Sequence, residues 1–308
     1  MIELIIAASV AVGVVGLLLG VIIAFTAKKF AVESDPRIEI VQDLLPGANC
    51  GGCGYAGCAD MAQAIVLKGA DPAKCPVSTE EARRKIAEAM GITLGDTEKK
   101  VAVVFCGGSL SRAKRNSRYN GITDCRSASI VGGGDKACRF GCLGYGSCAR
   151  ACPFGAIEMR DGLAVVHPEI CVGCGKCTEV CPRKLIRLVS AAAKVHVYCN
   201  SLDKAPQKRK NCSVPCLVCK KCIRTDEMHM LIQNQLVRVN YSNPPDVSIV
   251  EKAGCPTGCL QTEESHRHLV PRAAEDKTTK SAAAKQAPPQ PPQPPQQQPQ
   301  GEKKESAA

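Results

Sequence analysis

Cys171, Cys174, Cys177 and Cys181 are separated by two, two and three residues, and Pro182 follows directly. Three thiols from one tight loop cap one face of a cubane cluster, and this spacing is that of a 4Fe–4S site. The chain has 308 residues, 21 cysteines, no tryptophan and 3% aromatic residues. At roughly 150 residues per domain it makes two or three units. A large aromatic core is excluded, so something besides apolar burial must hold the chain together. Disulfides and metal sites are the two chemistries that use so many cysteines.

The compartment separates the two. Residues 4–27 carry no charge, Glu3 precedes them, and Lys28 and Lys29 follow. The run predicts a helix long enough to cross a ~30 Å hydrocarbon core. It is too long for the apolar part of a signal peptide, and no basic stretch precedes it. Gly16 and Gly20 form a G-x-x-x-G that lets helices approach closely. The two lysines place the remaining chain in the cytoplasm. Cytoplasmic cysteines stay reduced, so these read as metal ligands.

Residues 36–46 predict a short amphipathic helix. Cys50, Cys53, Cys58 and Cys75 follow, at spacings of two, four and sixteen, with glycines that let the chain wrap closely. Residues 78–91 predict a helix with Ser78 as N-cap, Glu81 completing a capping box and Gly91 as C-cap. Residues 99–106 and 194–199 predict strands, each ending in cysteine. Residues 156–166 predict a hairpin turning at Asp161-Gly162. From about residue 266 the composition collapses to Ala, Lys, Gln and Pro. The Pro/Gln run at 288–300 predicts a disordered, partly polyproline-II tail.

Before Pro153 stand Cys142, Cys148 and Cys152, but Tyr145 occupies the middle ligand position, and Cys138 is an extra cysteine. A shift of 74 residues puts Cys138 on Cys212, Cys142 on Cys216, Cys148 on Cys222 and Cys181 on Cys255, while Tyr145 falls on Cys219. Cys125 falls on Cys199, although the strand-then-cysteine pattern instead pairs Cys106 with Cys199. Cys152, Cys171, Cys174 and Cys177 fall on Asp226, Pro245, Ser248 and Glu251. In two-cluster ferredoxins the fourth cysteine of each run serves the other cluster. The four cysteines missing from the second copy are therefore one whole cluster set.

Four 4Fe–4S sets result. They are Cys50, Cys53, Cys58, Cys75; Cys152, Cys171, Cys174, Cys177; Cys216, Cys219, Cys222, Cys255; and Cys142, Cys148, Cys181 with Cys138 as the nearest candidate for the fourth ligand. Cys106, Cys125, Cys199, Cys212 and Cys259 remain, either for a fifth cluster or as thiols packed as small buried hydrophobes. The expected fold is α+β. It has a transmembrane anchor (1–29), a small N-terminal 4Fe–4S domain (30–95), a two-cluster ferredoxin-like domain (96–190), a second, degenerate repeat (191–265) and a disordered tail (266–308).

An N-terminal helix, then C-x₂-C-x₄-C-x₁₆-C, then ferredoxin runs resembles the B subunit of the Rnf electron-transport complex. The stretches DLLPGANC and CGGCGYAGC carry the likeness, which covers roughly residues 1–265. The resemblance implies an electron-transfer subunit of an ion-translocating ferredoxin:NAD oxidoreductase. Such a subunit takes electrons from reduced ferredoxin and relays them to other membrane subunits. It sits as a single-pass protein in the cell inner membrane with its clusters on the cytoplasmic side. The short form of the family has one two-cluster domain; this chain departs from it in Tyr145, the second copy and the tail.

Two other readings stay open. One is a polyferredoxin of another membrane oxidoreductase. The other is a zinc-stabilised nucleic-acid or scaffold protein, in keeping with C-x₂-C pairs and the net charge of +11. The cubane spacing at 171–182 speaks against zinc, and no nucleic-acid partner is expected. No strand leads into a G-x-G-x-x-G, the five histidines have no ligand spacing, and no catalytic site of the chain's own is visible. Between Asp203 and Asp226 stand Lys204, Lys208, Arg209, Lys210, Lys220, Lys221 and Arg224 with no acid among them. Ferredoxins are typically acidic, so this stretch is a candidate docking face.

Overall fold

The computed structural model describes residues 2–29, 35–95 and 98–270. The apolar N-terminal run is helical, as α1 (Ile2–Lys29). However, among the described residues no helix is long and apolar enough to cross a membrane. The expected transmembrane anchor is corrected accordingly, and the fold is a small α+β one.

The N-terminal unit contains α2 (Pro36–Leu44), α3 (Cys58–Lys68) and α4 (Glu80–Met90). Asp35 caps α2 by accepting from the Arg37 N–H at 2.9 Å, and Pro36 fills the first turn, where a missing N–H costs nothing. The cap of α4 is Thr79, whose hydroxyl accepts from the Ala82 N–H; Ser78, expected there, is buried one residue earlier. Gly91 ends α4 at φ 63°, the left-handed conformation glycine adopts most readily. Val41, Met61, Ile65 and Ile86 are fully buried between these helices.

Two repeats follow. The first contains β1 (Lys100–Val104), α5 (Cys125–Val131), α6 (Ser147–Arg150), β2 (Ile157–Arg160), β3 (Leu163–Val166), α7 (Lys176–Val180) and β4 (Ile186–Ser190). β1 pairs antiparallel with β4, Ala102 opposite Leu188, and β2 pairs with β3. The second repeat contains β5 (Val195–Val197), α8 (Ala205–Asn211), α9 (Lys221–Thr225), β6 (Met230–Gln233), β7 (Leu236–Val239), α10 (Ile249–Ala253) and β8 (Leu260–Thr262). It repeats the plan, with β5 on β8 and β6 on β7. The first hairpin turns at Asp161 and Gly162 as expected, both at positive φ (43° and 63°), the geometry that suits strand twist. The second turns at Asn234 and Gln235 (49° and 61°).

Few aromatic residues exist, and several of them meet where the repeats join. Phe105, His196 and Tyr241 lie in mutual ring contact, and His196 Nδ1 is 3.0 Å from the Tyr241 hydroxyl. Tyr198 stacks on His266 at 3.5 Å. Burial brings the His196 imidazole down to about 4, and Lys194 adds to the effect. Burial likewise brings His266 down to about 3. Both are neutral core residues. His266 belongs to α11 (Glu263–Leu269), so the ordered body runs past residue 266 to Val270, itself buried. The Pro/Gln tail lies outside the described residues.

Candidate metal centres

All 21 cysteines are free. A single tetrahedral ion, about 2.3 Å from each sulfur, draws its thiols to within about 4 Å of one another. Among the described residues no trio of Cys, His, Asp or Glu is gathered in that way. The thiols instead line cavities, and four thiolates around one cavity are the donor set of a 4Fe–4S cluster.

The first set lies on the N-terminal unit. Asn49 Oδ1 accepts from the Cys58 N–H at 2.8 Å, which folds the ligand loop back on itself. Cys58 opens α3, and Cys75 follows a tight turn at Pro72–Lys74. Burial pushes the Cys75 thiol up; the nearby Val77 and Ser78 N–H groups oppose this, while Cys53 and Cys50 reinforce it. The thiols of Cys50, Cys53 and Cys75 are thus electrostatic neighbours.

The second set surrounds a cavity of about 320 Å³ lined by Cys152, Cys171, Cys174 and Cys177. Burial, then Cys171, Cys174 and Cys152, pushes the Cys177 thiol up to about 12. Four thiols around one cavity suit a cationic cluster core that binds them as thiolates. The backbone is ready for thiolates: Ala102 N–H donates to Cys171 Sγ at 3.4 Å and Ala156 N–H to Cys152 Sγ at 3.3 Å.

The third set departs from expectation. A cavity of about 350 Å³ is lined by Cys142, Cys148, Cys181 and Cys125. Cys148 is pushed up to about 12 by burial, then by Cys142, Cys125 and Cys181. Cys125 is held there by a latch. Its N–H donates to Ser147 Oγ at 2.9 Å, and Ser147 donates to Asp124 Oδ1 at 2.7 Å. Asp124 also caps α5 through the Ser127 N–H; these hydrogen bonds, Ser127 first, hold its carboxyl near 2. Tyr145 turns elsewhere, its hydroxyl donating to Asp135 at 3.0 Å. Cys138 is not on this cavity. It lies with Cys106, Cys199 and Cys212 on another, of about 430 Å³.

The fourth set, Cys216, Cys219, Cys222 and Cys255, lies in the second repeat. Cys222 rises to about 11 through burial and Cys216, with Cys255 and Cys219 adding to it. Cys219 is exposed. The signal that could have found Cys125 was the strand-then-cysteine alignment. It pairs Cys106 with Cys199, leaving Cys125 unmatched and free for the set that lacks a ligand.

A doubled α+β core with cysteine-lined cavities defines an iron–sulfur protein. Two family models match the chain: "Putative Fe-S cluster" over residues 45–77 and "4Fe-4S dicluster domain" over 137–185. These support 4Fe–4S clusters as its cofactors. The chain is 39% identical over 252 residues to the B subunit of the proton-translocating ferredoxin:NAD(+) oxidoreductase complex of Clostridium ljungdahlii, covering 80% of this chain and 89% of the relative. It is 40% identical over 251 residues to the B subunit of the Na(+)-translocating ferredoxin:NAD(+) oxidoreductase complex of Acetobacterium woodii, covering 80% and 75%. It is 44% identical over 208 residues to the B subunit of the ion-translocating oxidoreductase complex of Methanosarcina acetivorans, covering 67% and 79%. The chain belongs to this family of B subunits, the Rnf type, and is an iron–sulfur electron-transfer subunit.

Proposed function

We propose that the chain is the electron relay of an ion-translocating ferredoxin:NAD oxidoreductase complex, drawing electrons from reduced ferredoxin and handing them to partner subunits. Ion movement and NAD reduction belong to those partners. Four 4Fe–4S clusters are held by Cys50, Cys53, Cys58, Cys75; by Cys152, Cys171, Cys174, Cys177; by Cys125, Cys142, Cys148, Cys181; and by Cys216, Cys219, Cys222, Cys255. Each cluster, when bound, accepts and releases one electron. The unpaired cysteines suit the reducing cytoplasmic side of the membrane.

The observation that carries this reading is that the first ligand loop packs against the second, with the thiols of neighbouring sets within electrostatic reach. The Cys174 thiol, raised chiefly by burial, is raised further by Cys50 of the first set. Cys148 of the third set responds likewise to Cys177 of the second. Gly52, in the first ligand loop, lies so near the second that a Cβ there would be 2.9 Å from the Cys174 Cα. Gly52→Ala is expected to push the two sites apart. The iron content should hold while the magnetic interaction between these two reduced centres weakens in EPR. An unchanged interaction would remove Gly52 from the contact.

The exposed end of the relay is Cys219. Lys204, Arg209, Lys210, Lys220, Lys221 and Arg224 are exposed near it in sequence, whereas Lys208 is buried and leaves the docking face. An acidic ferredoxin would be steered to such a surface. Reduction of the reconstituted full chain by ferredoxin, followed by stopped flow, tests this. Lys221→Glu with Arg224→Glu should slow the bimolecular step by about tenfold or more at low salt, with the difference closing at high salt. Equal wild-type rates at low and high salt would rule out steering.

A further inference from the structure

The cavity that holds Cys138 sits at the joint between the repeats, and its four thiols come from four segments. Cys106 follows β1, Cys138 precedes the third ligand loop, Cys199 follows β5, and Cys212 follows α8. Two come from each repeat, in equivalent places. Phe105 N–H donates to Leu185 O and Tyr198 N–H to Cys259 O, both at 2.9 Å. Leu185 and Cys259 are separated by the same 74 residues as Cys138 and Cys212. The four thiols are therefore two pairs related by the internal repeat.

The segments carrying them are laced together. Gly107 N–H donates to Tyr198 O at 2.9 Å, and Lys114 N–H to Asn211 O at 2.9 Å. Arg139 pairs with Asp203 at 3.3 Å. A Cβ placed on Gly108 would lie 3.4 Å from Cys212 Sγ and 3.7 Å from Cys106 Sγ, so both thiols border one small space. Burial pushes the Cys212 thiol up to about 12; the Val214 N–H opposes this, and Cys106, Cys199 and Cys138 add to it.

Two buried lysines line the same cavity. Lys136 Nζ donates to Gly108 O at 2.8 Å and Gly162 O at 2.7 Å; Lys208 Nζ donates to Cys216 O and Gln235 O. A buried cation is costly without a counter-charge. The donors of both lysines go to neutral carbonyls, so they are a ready counter-charge for an anionic group held by the thiols.

We propose that Cys106, Cys138, Cys199 and Cys212 hold a further 4Fe–4S cluster that joins the relay of one repeat to that of the other. This rests on the electron-relay reading above. Its position fits the role: Cys142 of the third set donates its N–H to Cys106 Sγ at 3.4 Å. The Cys216 N–H of the fourth set likewise bonds Cys199. One electron arrives as the fourth site is oxidised and leaves as the third is reduced, with no bond made and no proton moved. Reduced ferredoxin is the source.

The test is iron and acid-labile sulfide per full-length chain after anaerobic reconstitution, with redox-poised EPR. Wild type should carry about twenty irons, and about sixteen would overturn the proposal. Cys138→Ala and Cys212→Ala, one in each repeat, should each lose about four irons and the same EPR component. Cys222→Ala provides the comparison, since it should lose a different component. If Cys222→Ala loses its four and the other two variants lose none, this site falls and the relay stands. If Cys222→Ala loses none either, the relay reading itself has failed. The wild-type count decides alone should a variant not fold.

Discussion

Cys125→Ala is expected to remove about four irons and one EPR component, that of the set completed by Cys142, Cys148 and Cys181. Cys138→Ala should leave that component intact. The contrast is sharp because sequence proximity favours Cys138, whereas the cavity is lined by Cys125. The Asp124–Ser147 latch ties the start of α5 to the loop that carries Cys148. Tyr145 occupies the position of the missing cysteine but is spent on Asp135. In the second repeat Cys219 stands there instead. Tyr145→Cys added to Cys125→Ala should therefore restore the component. Loss in Cys138→Ala together with retention in Cys125→Ala would return the fourth ligand to Cys138.

The parts of this fold written in local spacing were legible. Cys171, Cys174 and Cys177 line one cavity, and Asp161-Gly162 turns a hairpin. What the spacing could not decide was long-range. Cys106 and Cys125 both align with Cys199, and only strand pairing settles on Cys106, because β1 and β5 end in the same hydrogen bond to their partner segment. Legibility also failed where backbone conformation runs against residue preference. The ligand loop of the first repeat turns through Gly144 and Gly146 at positive φ; in the second repeat Val218 and Lys220 stand there, at 55° and 63°. A β-branched residue seldom adopts that region, so nothing in the sequence announces the turn. The apolar run at 4–27 misled in another way. It formed a helix, but among the described residues no helix is long and apolar enough to cross a membrane.

Gly173→Ala should be the most damaging single methyl addition in the ligand loops. Gly173 and Gly175 both have positive φ, 71° and 81°. Placing alanine in that region costs about 1–2 kcal/mol at either site. Surroundings separate the two. A Cβ on Gly175 meets only Leu188 Cδ1 at 3.8 Å and Thr178 Oγ1 at 3.9 Å, ordinary contacts. A Cβ on Gly173 would collide with the Lys100 carbonyl oxygen. That oxygen belongs to the first residue of β1, whose pairing with β4 leaves it little room to retreat. Overpacking of this kind adds about 1–3 kcal/mol. The loop carries Cys171, Cys174 and Cys177, and Cys171 takes its hydrogen bond from Ala102 on the same strand. Displacing the loop thus breaks ligand geometry as well as packing. Gly173→Ala should lower the melting temperature of the reconstituted chain well below that of Gly175→Ala and lose the iron of this set. Equal melting temperatures and iron contents in the two variants would mean that left-handed strain alone, not the approach of β1, limits this loop.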